Sequence, residues 1–254
     1  MLRLGALDVP DGRFVVMAIV NRTPDSFYDR GATYELAAAV ERVDRVVAEG
    51  ADMVDVGGVK AAPGDEVDAA EEIRRTVDLV AAIRAAHPTL PISIDTWRAV
   101  VAKEALAAGA DVVNDAWGGV DPELAAVAAE AGAGIVCTHA GGLPPRTRPH
   151  RVTYDDVVAD IVTRTTALAD AAVAAGVDPD RVLVALSNKD FVGETLDVPV
   201  EERLTGTLAA TAVSAWLGAR VFRAHDVAAT RQTLDMVATL RGDRPPTRTT
   251  RGLA

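Results

Sequence analysis

The sequence predicts an α/β protein built as a TIM-type (β/α)8 barrel, with one βα unit absent from the chain. Three observations lead to this fold. Short apolar runs rich in β-branched residues alternate with segments that have helical spacing. Several of the helical segments end at a glycine, as is usual where a left-handed residue stops a helix. The apolar runs are continuous, which is typical of parallel strands buried on both faces. A doubly wound open sheet is the alternative architecture.

Apolar runs mark the predicted strands, and the segments between them are the predicted helices. In chain order the strands are Phe14–Val20, Met53–Val56, Ile92–Ile94, Val112–Val113, Ile135–Cys137, Val182–Leu186 and Val221–Phe222. The glycines that close helices are Gly50, Gly109, Gly132, Gly176 and Gly218. In the first helix, Leu36, Val40, Val43 and Val47 recur at the spacing of one helical face. This regular alternation within one chain favours a barrel over an open sheet.

Length and composition indicate one domain and exclude some classes of partner. The 254 residues, 49% of them apolar, suffice for a single barrel domain over 1–254 that ends in a basic tail, 241–254. A net charge of −11 argues against nucleic acid or an anionic membrane as partner. No run approaches the ~20 apolar residues that span a bilayer, and the N-terminus lacks a signal-peptide core. The one cysteine, Cys137, allows no internal disulfide, so we expect a cytoplasmic protein.

Polar side chains follow every predicted strand. They are Asn21, Asp55–Gly58, Asp95–Trp97, Asn114–Asp115, His139, Ser187–Lys189 and Arg223–Asp226. Any one of them could merely cap the next helix or turn the chain. Together they fall where parallel barrels build their active sites, at the carboxyl ends of the strands. We therefore expect a functional site on this rim.

The residue types on the rim suggest a ligand with two halves. An amide oxygen such as that of Asn21 can bind a hard cation that also bridges phosphate oxygens. Cationic and N–H donors suit a phosphate group, and carboxylate or amide acceptors suit an N–H-rich ring. The donors are Arg223, His225 and Lys189, and the acceptors are Asp95, Asn114 and Asp115.

The motifs resemble those of the dihydropteroate synthase family, a pterin-binding barrel. The matching segments are Asn21–Phe27, Asp55–Gly58, Ile92–Thr96, Gly109–Asp115, Tyr154–Val157, Lys189 and Arg223–Val227, in the family's order. Family enzymes join a dihydropterin-methyl diphosphate to p-aminobenzoate, with Mg²⁺ assisting the loss of diphosphate. The resemblance implies Mg²⁺ at Asn21, the diphosphate at Arg223 and His225, and the pterin at Asp95, Asn114 and Lys189.

Two departures from the family affect the loops that would receive the second substrate. The family's second loop reads Gly-Gly-Glu-Ser-Thr-Arg-Pro-Gly, whereas this chain has methyl groups at Ala61 and Ala62 in place of a hydroxyl and a guanidinium. Lys60 either substitutes in part or is simply solvated. Asp190 places an anion where the benzoate carboxylate would be received, or it complements the dipole of the next helix. Both readings of Asp190 imply a poor p-aminobenzoate site.

A third departure is the missing βα unit. Residues 176–184 enter what reads as the sixth strand, and residues 185–189 leave as the seventh, so the two strands are fused. The aspartate that binds the pterin after the family's sixth strand is lost with the unit. Asp178 is no replacement, because it precedes its strand and belongs to the opposite rim. Either the unit has been excised or it lies in a segment outside these 254 residues.

A fourth departure is Arg22, which stands where the family has a small apolar residue. It either recruits anions or projects into water. The basic loop 141–151 and the tail 241–254 have the same two readings, an interaction segment or a solvated one.

The apolar positions of segment 200–217 suggest a helix-mediated homodimer. They are Leu204, Leu208, Ala209, Ala212, Val213 and Trp216.

Three functions remain open from the sequence. The first is a divergent dihydropteroate synthase homologue that keeps the Mg²⁺ and diphosphate half-site and condenses weakly or not at all. The second is a fully active synthase. The third is a non-catalytic protein that binds a pterin, a phosphate or a protein partner on the barrel scaffold.

Overall fold

A curled parallel sheet surrounded by helices forms the body of the protein in the computed structural model, which describes residues 1–23, 35–61, 63–141, 144–146, 153–186 and 191–248. A small antiparallel hairpin precedes it, with β1 (Leu2–Leu4) paired to β2 (Leu7–Val9). Gly5 at the turn has a φ of +56°, which a glycine adopts without strain. No helix in these ranges is long and apolar enough to cross a bilayer.

Strands and helices alternate along the rest of the chain as predicted. The strands are β3 (Val15–Asn21), β4 (Met53–Gly57), β5 (Ile92–Asp95), β6 (Val112–Asp115), β7 (Gly134–His139), β8 (Val182–Leu186) and β9 (Val221–Ala224). The helices are α1 (Leu36–Ala48), α2 (Ala69–Ala86), α3 (Ala99–Ala107), α4 (Leu124–Glu130), α5 (Val157–Ala174), α6 (Phe191–Leu196), α7 (Leu204–Trp216) and α8 (Val227–Arg241). Short 3-10 turns lie at Pro179–Arg181 and Val200–Glu202. Every predicted strand is present.

The order of the strands is that of a barrel from which one strand is missing. The strands lie in the order β8-β7-β6-β5-β4-β3-β9, and each pair of neighbours is parallel. β3 pairs with both β4 and β9, so the first and the last strand of this sheet in chain order are neighbours, as they are in a barrel. Within the described ranges, β8 and β9 are the two edges of the sheet. The opening lies where the sequence predicted the missing βα unit.

Burial differs between the middle and the edges of the sheet. Every residue of β4 is buried, whereas Val184 of β8 is 56% exposed and no residue of β9 is fully buried. An edge strand has a pairing partner on one side only, and the helix that would cover its outer face belongs to the absent unit. The exposure of Val184 therefore agrees with an open edge.

Successive side chains of each strand lie on opposite faces of the curled sheet. The core therefore has an inner part, enclosed by the sheet, and an outer part, between the sheet and the helices. The inner part fills the lower half of the barrel and is closed by Leu4 and Val9 of the hairpin. Its strand residues include Met17, Met53 and Val112. The outer parts lie between the sheet and the helices, with α1, α2 and α8 on one side and α3, α4 and α5 on the other.

The register of the sheet places polar residues in one row at its carboxyl edge. Asn21 is level with Gly57, Gly57 with Asp95, and Asp95 with Asn114. One row deeper, Asp55 is level with Ser93. The upper half of the barrel interior is thus polar, while the lower half is apolar.

Candidate functional site

Four polar side chains from four strands meet in the upper half of the barrel. Arg223 donates from Nε to Asp55 Oδ2 at 2.6 Å and from Nη2 to Asp95 Oδ2 at 2.8 Å. Asn114 donates from Nδ2 to Asp55 Oδ2 at 3.1 Å and to Oδ1 at 3.3 Å. Three of the four, Asp95, Asn114 and Arg223, are residues that the sequence predicted for the site. The structure brings them together around Asp55.

The charges of this cluster support one another. Asp55 is fully buried, so its carboxylate requires a cation and hydrogen-bond donors at close range. Burial alone lowers the pKa of Arg223, but the nearby carboxylates of Asp55 and Asp95 outweigh it and raise that pKa above its usual value. The guanidinium therefore stays charged. One cation facing two carboxylates leaves the cluster with an excess of acceptors, which suits an N–H-rich ligand.

Asn21 lies at the end of β3, in the row of polar residues at the carboxyl edge. A Cβ added at Gly57 would lie 2.8 Å from Asn21 Oδ1, so the glycine is needed for the amide oxygen to lie this close to β4. Within the described ranges, no group of three or more His, Cys, Asp or Glu side chains could hold a metal ion. Mg²⁺ commonly takes only one or two protein oxygens and completes its shell with phosphate and water. The amide oxygen of Asn21 is of the type that Mg²⁺ prefers.

His225 follows β9 on the same rim. Its backbone carbonyl accepts a hydrogen bond from Arg42 Nη2 at 2.8 Å, and the next residue, Asp226, caps α8 by accepting from the Ala229 amide at 2.9 Å. His225 is thereby held at the start of α8. Lys189, the remaining predicted site residue, lies outside the described residues, as does Asp190.

Two other polar residues at strand ends serve the fold locally. Asp115 accepts hydrogen bonds from the backbone amides of Trp117 at 3.0 Å and Gly119 at 2.6 Å, so both of its oxygens hold the turn after β6. Burial raises the pKa of Asp115 above its usual value. His139 pairs through Nε2 with Asp160 of α5 at 2.8 Å. Asp115, which the sequence offered as an acceptor for the ligand ring, therefore holds a turn, the alternative role that the sequence left open for any one of these residues.

Arg22 is buried and does not project into water, so that reading was wrong. The residue is 8% exposed, and its Nη1 donates to the backbone carbonyl of Arg75 in α2 at 2.9 Å. Arg75 in turn donates from Nη1 to the carbonyl of Gly58 at 3.0 Å. The two arginines link the residues after β3, the helix α2 and the loop after β4.

Asp55 is the residue of the site that was not predicted for a role there, although its motif matched the family. Its signal in the sequence is an acidic residue within the otherwise apolar run 53–56. Ser93, level with Asp55, is also fully buried, and its hydroxyl has no hydrogen-bond partner in the described part of the chain. Polar residues inside an apolar strand are thus the better indicator of this second, deeper row.

Comparison with known proteins places the chain among pterin-binding proteins. The sequence pattern of the family described as pterin binding enzyme matches residues 17–184. A Mycobacterium tuberculosis protein named inactive dihydropteroate synthase 2 is 54% identical over 282 residues, with 97% of this chain and 89% of that protein covered. The dihydropteroate synthase of Synechocystis is 36% identical, with 87% and 88% covered. The Yersinia pestis dihydropteroate synthase, solved in complex with a sulfonamide drug, is 29% identical and superposes with a TM-score of 0.86, with 95% and 99% covered.

The alignment with the Mycobacterium tuberculosis protein extends over 282 residues, more than the 254 of this chain, so that relative has residues without a counterpart here. The matched pattern covers well over half of the chain and the fold follows that of the solved synthase, and the chain belongs to the pterin-binding enzyme family of dihydropteroate synthases and their inactive homologues.

Proposed function

We propose that this protein binds a dihydropterin-methyl diphosphate together with Mg²⁺ and condenses it with p-aminobenzoate weakly or not at all. The observation that carries the proposal is the cluster of Asp55, Asp95, Asn114 and Arg223, which offers several acceptors around one cation in a largely buried site. The loops that would receive p-aminobenzoate differ from those of the family at Ala61 and Asp190.

The pterin half of the ligand suits the cluster by hydrogen-bonding capacity. A pterin ring presents several N–H donors along one edge, and the carboxylate of Asp95 and the amide oxygen of Asn114 are acceptors in the same row of the sheet. Lys189, after β8, is the remaining pterin contact that the family resemblance implies. The aspartate from the absent βα unit is the contact that this protein lacks.

The diphosphate half requires positive charge near the rim. Arg223 uses Nε and Nη2 on the two carboxylates, and its Nη1 group is the part of the guanidinium that a phosphate oxygen would meet. His225, held at the start of α8, and Asn21, with its bound Mg²⁺, complete this half. When bound, Mg²⁺ supplies the charge that stabilises a departing diphosphate. The protein's own residues bind and orient the ligand.

Weak condensation is expected because the second substrate loses its partners. A methyl group at Ala61 cannot donate a hydrogen bond. A carboxylate at Asp190 would repel the carboxylate of p-aminobenzoate by roughly 1 kcal/mol in water and more near a protein surface.

Two assays test the proposal. Titration calorimetry with a dihydropterin diphosphate, with and without Mg²⁺, should show Mg²⁺-dependent binding, while p-aminobenzoate alone should show none. A product assay with both substrates should give turnover far below that of an ordinary synthase, and the gene should not rescue a strain that lacks its own synthase. Ordinary turnover or rescue of growth would establish an active synthase instead. Absence of any pterin or diphosphate binding would leave only the third function, a non-catalytic barrel that binds a protein partner.

We also propose a homodimer formed through α7. Val213 and Trp216 of α7 and the following Leu217 are apolar, lie on one side of the helix and are at least 58% exposed, while Ala215 is buried against the body of the protein. Such an exposed apolar face on one helix is typical of a protein interface. Sedimentation at micromolar concentration should give a dimer, and Trp216→Glu should give a monomer. A monomeric wild-type protein would refute this interface.

A further inference from the structure

We propose that Asp55 is the positioning residue of the site, because its carboxylate fixes the orientation of both the Asn114 amide and the Arg223 guanidinium toward the ligand. This inference rests on the proposed pterin-binding function. Asp55 lies too deep in its strand to be one of the ligand contacts proposed above. Gly57, two residues further along β4, is level with Asp95 at the rim, so Asp55 lies roughly 6–7 Å deeper than the rim.

The first consequence of this placement concerns Asn114. A carboxylate can only accept hydrogen bonds, so the amide group that approaches Asp55 at 3.1 and 3.3 Å must be the NH₂ of Asn114. The amide oxygen of Asn114 is thereby directed away from Asp55. Asp55 in this way selects an acceptor, rather than a donor, as the group that Asn114 offers to a ligand. An N–H-rich ring requires that choice.

The second consequence concerns Arg223 and Asp95. The bond from Arg223 Nε to Asp55 holds the guanidinium so that it meets Asp95 through Nη2. Without the Asp55 carboxylate, the same guanidinium would be drawn toward Asp95, since an arginine and a carboxylate prefer a pair of parallel hydrogen bonds. Such a two-bond pair would occupy the acceptor that the pterin needs. Asp55 therefore limits the hold of Arg223 on Asp95 by competing for the same guanidinium.

Burial makes this competition effective. Asp55 is fully buried, whereas Asp95 is 18% exposed and can be solvated in part. The deeper carboxylate has the greater need for the guanidinium, because an uncompensated charge is costly in a dry environment. The buried Asp55 carboxylate thus fixes the position of the Arg223 guanidinium relative to Asp95. The site has this arrangement before the ligand binds.

The test compares D55N with a matched control, D52N. Asp52 lies just before β4 on the opposite rim and also bonds to arginines, Arg231 and Arg13, so it controls for the loss of a partly buried ion pair. Calorimetry would use 6-hydroxymethyl-7,8-dihydropterin, which lacks the diphosphate and reports on the pterin half alone. We expect D55N to weaken its binding about 10- to 100-fold. We expect D52N to bind within about twofold of the wild type.

A spectroscopic measurement on the ligand-free protein separates positioning from plain loss of stability. In D55N the ¹⁵N–H resonance of Arg223 Nε should shift and exchange faster with water, while D52N should leave it unchanged. Should D55N fail to fold, Asp55→Glu keeps the charge beside Arg223 and moves the carboxylate by one methylene. The same loss of pterin affinity is expected from it.

The outcomes distinguish this inference from the function on which it rests. A wild-type protein that does not bind the dihydropterin would refute the proposed function, and the ligand-facing role of Asp55 with it. A wild-type protein that binds, with D55N or D55E binding equally well, would overturn the inference alone. An Arg223 Nε resonance unchanged in D55N would also overturn it.

Discussion

Arg223 lies between two carboxylates, so removal of its charge affects more than one hydrogen bond. Its partner Asp55 is fully buried and is bonded on the other side to the neutral amide of Asn114. When the guanidinium is lost, the buried carboxylate group of Asp55 loses its cation and a hydrogen-bond donor. The stability of the barrel and the chemistry of the site therefore depend on the same side chain.

We predict that Arg223→Gln lowers the free energy of unfolding by roughly 2–3 kcal/mol. The value is set below that of a fully buried pair, because the Arg223 side chain is 28% exposed. Urea denaturation measures it. Arg74→Gln is the matched control, since Arg74 is 58% exposed, pairs with Glu71 and should change stability by less than about 1 kcal/mol. Equal losses in the two variants would contradict the prediction.

The side chains at strand ends could be predicted from the sequence, because their position depends only on where each strand stops. Asn21, Asp95 and Asn114 fall in adjacent register positions for this reason. The role of Asp55 could not be predicted, because its partner Arg223 is 168 residues away. Arg22 escaped prediction because its partner is a backbone carbonyl, which no residue type reveals.

Among the helices and strands, α2 has an unusual first turn. Glu71 and Glu72 are adjacent, yet Glu71 is bonded by Arg74 and Arg75 at the surface and Glu72 is fully buried beside Arg98. The two arginines lower the pKa of Glu71 to about 2. Burial raises the pKa of Glu72, in spite of the pairing with Arg98. Neighbouring carboxyl groups on one helix are thus shifted in opposite directions.

These shifts predict opposite pH dependence for two neighbouring variants. A raised pKa means that the folded state holds the proton more tightly, so the stabilisation from Glu72 is present below its unfolded pKa and falls as pH rises through the folded value. The free energy of unfolding of wild type minus that of Glu72→Gln should therefore decrease from pH 4 to pH 7. Urea denaturation at several pH values measures this difference.

Glu71→Gln is the internal control for that experiment. The pKa of Glu71 is lowered, so its stabilisation is present above the unfolded value and is lost as pH falls toward 2. The difference between wild type and Glu71→Gln should increase from about pH 2 to pH 4.5 and stay level above that, where the Glu72→Gln difference decreases. A Glu72→Gln difference that rises or stays level from pH 4 to pH 7 would show that burial does not control Glu72.

The helix boundaries were well predicted, and the one helix face that was predicted was right in part. Gly50, Gly109, Gly132, Gly176 and Gly218 all have positive φ and follow helices, as the sequence indicated. Of the predicted α1 face, Val43 is buried and Val40 and Val47 pack against the core, whereas Leu36 is 36% exposed. A glycine stops a helix through its own backbone. The buried face depends on the neighbours that the helix meets.

For the chain as a whole, the order of the strands followed from the sequence and the closure of the barrel did not. Each βα unit is local and adds a strand beside the previous one, so the run from β3 to β8 could be derived from the alternation alone. Closure of the barrel requires one further strand that pairs with β8 on one side and with β9 on the other. The described residues contain no such strand, and within them the sheet is open between β8 and β9.

The open edge should be visible in amide hydrogen exchange. Amides of β8 lose protection through local opening, since β8 has one pairing partner in the described ranges and Val184 is 56% exposed. Amides of β4, which is buried and paired on both sides, open only with the whole domain. We predict protection factors in β8 at least about tenfold below those in β4, with β5 as a second internal reference. Equal protection in β8 and β4 would mean that another polypeptide segment covers the edge in solution, and the barrel would then be closed in the working protein.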